Sequence, residues 1–296
     1  MVSQQAVLGQ ASHNGYLHLW SVDLDTKSDT KSVTPSLKPL ADCPSVAIDV
    51  KSSCLSLDWA HRSTPGYKSL SLMYDMCWIV FREPAVCAIS MSNGKLFRVP
   101  LTEDGFVVQE EWKAHDMECW ITAFDPTSIG AHVLYSGADD CKLKGWDTRI
   151  STEYPIFQNN NSHSAGVTVI SPHLTNPHIL ATGSYDEHVR LFDTRNIRRP
   201  LSEHTTDGGV WRVRWHPTDS TLLLTGSMRN GFHVLKTFSE NMEDYEFSTV
   251  GTHIHAPEEE SLAYGCDWSR HGERKGMIGS CSFYDQQLHL WNIQLD

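Results

Sequence analysis

Acidic and aromatic side chains recur in this sequence at matching places, and together they suit one kind of chemistry. Asp139 stands just before Asp140 in "SGADDCKLKGWDTR", Tyr185 just before Asp186 in "TGSYDEHVRLFDTR", and Tyr284 just before Asp285. His13, Ser92 and Met228 hold the same place in three weaker copies. Glu118 and Trp120, Trp211, and Tyr264 stand where alternating apolar runs begin. Ring faces of Trp and Tyr attract a quaternary ammonium by roughly 0.5–2 kcal/mol per contact, and nearby carboxylates add charge of the right sign. The same residues equally suit a protein-binding face anchored by Tyr and Trp. Either use requires residues far apart in the chain to meet at one place.

The elements that must bring them together are written as a repeat. The two quoted stretches, beginning at Ser136 and Thr182, share a small-Gly-small start, an acidic turn, an alternating run, an aromatic and Asp-Thr-Arg. Aligned on the aromatic, "KLKGW" ending at Trp146 and "HVRLF" ending at Phe192 match "YLHLW" at Trp20 and "QLHLW" at Trp291. "KLFRV" at Val99 and "GFHVL" at Leu235 are weaker copies. Each alternating run reads as a half-buried strand. The residue six places earlier is a turn former in nearly every copy: Asn14, Asn93, Asp140, Asp186, Arg229 and Asp285. Asn and Asp suit that place because their short side chains bond local backbone. A short strand such as "HVLYSG" or "HILATG" comes before each turn, and an earlier one such as "WITAFDP" or "VWRVRWHP" before that. Pro126, Pro172 and Pro217 end those earlier strands, where a missing backbone donor does least harm.

Repeats of this length, built of short strands without helical periodicity, predict an all-β chain folded as a WD40-type β-propeller. The Trp-Asp signature stands at Trp146-Asp147. WD repeats carry a buried His, Ser or Thr, Asp and aromatic set, matched here by His115, Ser136, Asp140 and Trp146 and by His163, Thr182, Asp186 and Phe192. The structural role satisfies these polar groups, so it is preferred to catalysis. Residues 1–296 are read as a single propeller domain. Six anchors are visible, and the chain opens in the middle of a unit, as "AVLGQASHNGYLHLW" is a hairpin with no first strand ahead of it. An irregular insertion at about 69–86, containing "MYDMCWIVFREPAV", fits no blade strand cleanly.

The formal charge of −12 argues against a broad phosphate-binding surface, because nucleic-acid binders show a basic patch or stripe. The expected partner is therefore a protein or a cationic substrate, not nucleic acid. Eight cysteines lie scattered without a C-x-x-C pair, which suits reduced thiols in a cytoplasmic protein. No apolar run reaches the roughly 18 residues of a membrane helix, and the first residues lack the pattern of a signal peptide. Standard hydrolase, zinc-protease, P-loop and dinucleotide motifs are absent, so no cofactor is expected. "HIH" at His253 to His255 has metal-ligand spacing, but no third ligand adjoins it in sequence, and a solvated loop with no metal is the preferred reading.

"CLSLDWA" at Cys54, "YSGADDCKLKGWDTR" at Tyr135, "HILATGSYDEHVRLFDTR" at His178, "GGVWRVRWHP" at Gly208 and "YGCDW" at Tyr264 closely resemble the WD-repeat diphthine methyl ester hydrolases, the methylesterases of diphthamide biosynthesis. The resemblance runs from about Val7 to Asp296, apart from the interruption near Met73. It implies a seven-bladed propeller lacking its N-terminal blade here. It further implies hydrolysis of the methyl ester of diphthine on translation elongation factor 2, a cytoplasmic protein substrate, with no membrane and no cofactor. Under that implication a general base must activate water, and Asp139 is the first candidate because Asp140 already fills the turn. Glu118 and His188 are further candidates. Tyr185, Trp211, Tyr264, Tyr284 and Trp120 would line a pocket for the trimethylammonium group, with a tyrosine hydroxyl donating to the oxyanion. Two other readings stand beside this one: a non-catalytic WD-repeat scaffold or adaptor, and a reader of methylated lysine that binds without turnover.

Overall fold

The computed structural model describes residues 6–26, 33–39, 46–59, 71–72, 76–80, 86–102, 105–128, 131–239, 245–255, 262–270, 276–282, 284 and 287–294. Its described secondary structure is β-strand throughout, in six antiparallel sheets. The third, fourth and fifth sheets each have four strands laid side by side in chain order. The third comprises Ile121–Phe124, Val133–Gly137, Leu143–Asp147 and Phe157–Asn159. The fourth comprises Val167–Pro172, Ile179–Ser184, His188–Asp193 and Ser202–Thr205. The fifth comprises Val210–Trp215, Leu222–Ser227, Gly231–Ser239 and Tyr245–His253. Ala263–Trp268, Met277–Ser282 and Leu288–Asn292 form the sixth.

The last strand of each of the third to sixth sheets is its least buried. Val167–Pro172 and Ile179–Ser184 are buried almost residue for residue, whereas Ser202–Thr205 alternates between half-buried and exposed. A strand apolar on both faces can be buried only between two neighbouring sheets, and this is how the first strands sit. Cys54–Trp59 packs beside Ile121–Phe124, which packs beside Val167–Pro172, then Val210–Trp215, then Ala263–Trp268. Ala263–Trp268 in turn lies beside Ser71–Leu72 of the first sheet, which borders Cys54–Trp59. The sheets are the blades of a β-propeller. Polar side chains stitch neighbours together: Ser56 Oγ accepts from Thr122 N at 3.0 Å and Asp58 Oδ2 from Phe124 N at 2.8 Å. Trp215 Nε1 donates to Ser171 O at 3.0 Å, and Trp268 Nε1 to Arg214 O at 3.1 Å. The glycine of each small-Gly-small start serves the same packing. A Cβ at Gly137 would lie 2.5 Å from Val167 Cγ1, and one at Gly183 2.4 Å from Val210 Cγ1.

The segment read from sequence as an irregular insertion supplies strands. Met76–Val80 pairs antiparallel with Ala6–Ala11, joining Ala6 to Val80 and Gln10 to Met76, and Ser71–Leu72 pairs with Met76–Val80 in turn. The hairpin of Ala6–Ala11 and Tyr16–Thr26 thus gains an inner neighbour from later in the chain. To build it, the chain lays down Cys54–Trp59 in the second sheet, returns to the first, and re-enters the second at Val86–Met91. Cys54, Cys87, Cys119, Cys141, Cys266 and Cys281 are free thiols, and among the described residues no helix is long and apolar enough to cross a membrane.

The expected polar set is complete in the third sheet. Ser136 Oγ accepts from Trp146 Nε1 at 2.8 Å and meets His115 Nε2 at 2.8 Å, while His115 Nδ1 meets Asp140 Oδ1 at 2.9 Å. Burial alone would raise the Asp140 carboxyl, but bonds from His115 and the Lys142 and Asp116 amides outweigh it and hold the pKa low. The fourth sheet departs from the expected pattern. His163 Nε2 reaches Thr182 at 3.0 Å, yet Asp186 turns to Arg190 Nη1, 2.9 and 2.8 Å from its two oxygens, and His163 Nδ1 has no partner. Burial, with a smaller push from Arg190, lowers the His163 pKa from 6.5 to about 4. Between those values the unfolded chain holds a proton that the folded chain refuses, so stability must fall as pH drops through that window. We expect the urea midpoint to be lower at pH 5 than at pH 7, and the H163Q variant to show a shallower pH slope.

Candidate functional site

The turns of the third, fourth and fifth sheets are tied to the starts of their inner strands at one end of the propeller. Asp139 N donates to Glu118 O at 2.9 Å, Tyr185 N to Gly166 O at 3.0 Å and Met228 N to Gly209 O at 2.9 Å. Val167 N donates across to Ala138 O at 2.9 Å, and Ala263 N to Met228 O at 2.8 Å, so the turns of adjacent sheets stand in a fixed row. The inner strands carry a further device. The register with the second strand shifts between Val210 and Arg212 and between Ala263 and Gly265. Trp211 and Tyr264 are therefore the extra residues of two β-bulges, irregularities that redirect a side chain out of the ladder.

The side chains so placed form a continuous aromatic row. Trp211 meets Trp120 edge to face at 5.8 Å between centroids, Tyr185 at 5.7 Å and Tyr264 at 5.2 Å. Trp120 and Tyr185 are also edge to face, at 6.4 Å. All four rings are half-buried. Trp120 Nε1 donates to Asp139 Oδ1 at 3.2 Å, anchoring a half-buried carboxylate beside the rings. Two glycines make the space. A Cβ on Gly166 would lie 2.5 Å from Asp139 Oδ1 and 3.3 Å from Tyr185 Cδ2, and one on Gly209 would lie 3.1 Å from Tyr185 Cδ1. An aromatic row with one carboxylate at its end offers a cation ring faces and a countercharge at once.

Five of the eight residues singled out in the sequence thus come together: Asp139, Trp120, Tyr185, Trp211 and Tyr264. Glu118 joins them through its carbonyl and is half-buried. Tyr284 is 64% exposed in the sixth sheet's turn region. His188 is held elsewhere: Nδ1 donates to the Asp186 carbonyl and Nε2 meets Thr205 Oγ1 at 3.1 Å, on the outermost strand of its sheet. Those local bonds occupy both ring nitrogens. Gly166 and Gly209 were not legible as site residues, since a glycine before a strand carries no sign of what its missing side chain admits.

The histidines of "HIH" do not lie in a solvated loop. His255 Nε2 meets Ser280 Oγ at 2.8 Å, and the same oxygen accepts from Trp291 Nε1 at 3.0 Å, repeating in the sixth sheet the arrangement of His115, Ser136 and Trp146. His253 stacks on Trp291 at 4.8 Å, and its Nε2 lies 3.0 Å from His289 Nδ1. A third histidine does therefore adjoin the pair, brought by the neighbouring sheet.

Known proteins resemble this chain in repeat, in sequence and in fold. The family described as "WD domain, G-beta repeat" matches residues 156–193 and 195–232. The chain is 34% identical to the "Diphthine methyltransferase homolog" of Dictyostelium discoideum, across 98% of this chain and 73% of that protein. It is 38% identical to the "Diphthine methyltransferase" of Mus musculus and 37% identical to that of Homo sapiens, in each case across 90% of this chain. It spans only 51% and 53% of those two proteins, about half their length. Among solved structures, a chain of "Crystal Structure of Mitotic Checkpoint Complex" superposes with a TM-score of 0.60 at 14% identity, over 96% of this chain and 86% of that one. That likeness carries the propeller fold alone.

Proposed function

The chain belongs to the diphthine methyltransferase family, and from that premise we propose that it acts in diphthamide biosynthesis by hydrolysing the methyl ester of diphthine on translation elongation factor 2. The relatives are named for methyl transfer; the reading offered here is removal of the methyl group by water. The observation that supports it is the Trp120–Asp139 hydrogen bond at the end of the aromatic row. Diphthine carries a trimethylammonium beside its ester. Ring faces of Trp211, Tyr185 and Tyr264 suit that cation, and a carboxylate fixed next to them suits general-base activation of a water. In this scheme Asp139 takes a proton as the water oxygen bonds to the ester carbonyl carbon. A Tyr185 or Tyr264 hydroxyl donates to the resulting oxyanion. Collapse breaks the bond to the methoxy oxygen, which leaves as methanol with the proton from Asp139, and the carboxylic acid that remains releases its proton to solvent as the carboxylate. The net charge of −12 favours encounter with a positively charged region of a cytoplasmic protein substrate.

The test is to mix the purified chain with elongation factor 2 carrying methylated diphthine in ¹⁸O-labelled water and to follow the modified residue by mass spectrometry. Hydrolysis predicts loss of the methyl group, release of methanol and one labelled oxygen in the product carboxylate. A gain of methyl from an added donor would identify transfer instead. Tight binding without any change of mass would identify a non-catalytic adaptor.

A further inference from the structure

The described residues contain a second chemical cluster, made where the fifth and sixth sheets meet. His253 ends the strand Tyr245–His253, His255 follows it, and His289 lies on Leu288–Asn292. One ring nitrogen from each of the three lies within 4.8 Å of the others. Strand alternation places His253 and His255 two residues apart on one side, and His289 and Trp291 likewise on the half-buried side of the opposing strand. His255 and His289 stack at 3.8 Å, and Trp291 backs His253.

Two of the three have the surroundings of metal-ligand histidines, whose second ring nitrogen is held by an outer partner that fixes the tautomer. Gln287 Oε1 accepts from His289 Nε2 at 2.9 Å, so Nδ1 carries the lone pair, and that atom faces His253 Nε2 at 3.0 Å. Ser280 holds the His255 ring through Nε2 at 2.8 Å. Two nitrogens on one tetrahedral zinc ion, each about 2.0–2.1 Å from it, stand roughly 3.3 Å apart, close to the separation seen between His253 and His289. Three neutral imidazoles without thiolate or carboxylate suit zinc, copper or nickel rather than magnesium or calcium.

We propose that His253, His255 and His289 form a binding site for one divalent transition metal ion of the zinc type, clasping the last strand of the fifth sheet to the sixth. The ion takes the place of the proton shared between His253 Nε2 and His289 Nδ1, that proton moving to the far nitrogen of the His253 ring. With three protein ligands, water completes the coordination.

Untagged chain, stripped with a chelator and dialysed, is titrated with zinc chloride against a chromophoric chelator. One equivalent is expected to bind and to raise the melting temperature, because an ion bound only by the folded state stabilises it. The H289A and H253A variants should bind at least about tenfold more weakly and lose the thermal shift, with Q287L weakened by about 10–100-fold as an outer-partner change. Absence of saturable binding by the unsubstituted chain, or equal binding by H289A and H253A, overturns the site. X-ray absorption at the zinc edge of the unsubstituted chain gives a reading independent of how the variants fold. Imidazole shells with nitrogen near 2.0 Å are expected, and their absence overturns the proposal.

Discussion

On the proposed reaction, the D139N variant is expected to hydrolyse the diphthine methyl ester about 10²–10⁴-fold more slowly than the unsubstituted chain, the usual contribution of a positioned general base. Asparagine keeps the shape of the side chain and can still accept the Trp120 Nε1 hydrogen bond, so the aromatic row should stay in place. What it removes is the ability to take a proton from water. The loss should therefore fall mainly on kcat, with KM changed by only about a few-fold from the missing countercharge. Single-turnover kinetics followed by mass spectrometry, with near-ultraviolet circular dichroism as the control on folding, make the comparison. Turnover within about threefold of the unsubstituted chain would take Asp139 out of the reaction and leave the rings as a binding surface.

The largest expected effect on stability lies at Trp146. Its side chain is 1% exposed, meets Trp112 edge to face at 5.7 Å and donates to Ser136. Truncation to alanine empties the space of an indole and leaves Ser136 without that donor, for a cost of about 3–5 kcal/mol. W146F separates the two contributions. The fourth sheet shows that phenylalanine is accepted here, since Phe192 is fully buried against His163 at 5.7 Å without an indole donor. W146F should accordingly cost nearer 1 kcal/mol, the worth of a typical hydrogen bond. Urea titration of both variants with unchanged m-values would check the pair; equal losses would mean that the hydrogen bond, not the packing, carries the effect.

Where the sequence was informative, the physics is local. Alternation within "KLKGW" and "HVRLF" and a short polar residue at each turn depend on neighbours a few places away, so strands and turns could be read directly. The rim positions followed from the same register, which is why Asp139, Trp120, Tyr185, Trp211 and Tyr264 were recognisable as a set. The features that escaped are set by distant contacts. Nothing in "VWRVRW" marks Trp211 as a bulge residue, because the shift arises from its fit against Leu222–Ser227. Met76–Val80 looked irregular because its partner, Ala6–Ala11, lies far back in the chain. His289 sits beside "HIH" only because the fifth and sixth sheets are adjacent. His188, at the start of an ordinary strand, had no sequence sign of the Asp186 and Thr205 bonds that hold it.

The path of the chain through its first two sheets has a mechanical meaning. It visits the first sheet, the second, the first again and the second again, so the two are threaded through each other rather than strung in series. Stripping the chain from either one in sequence order must also pull the innermost strand or strands from the other. These two sheets should therefore open as one cooperative unit in hydrogen exchange. A protease nick between Val80 and Val86 should leave two fragments that travel together until denaturant is added, whereas the later sheets, each contiguous in sequence, are free to fray one at a time.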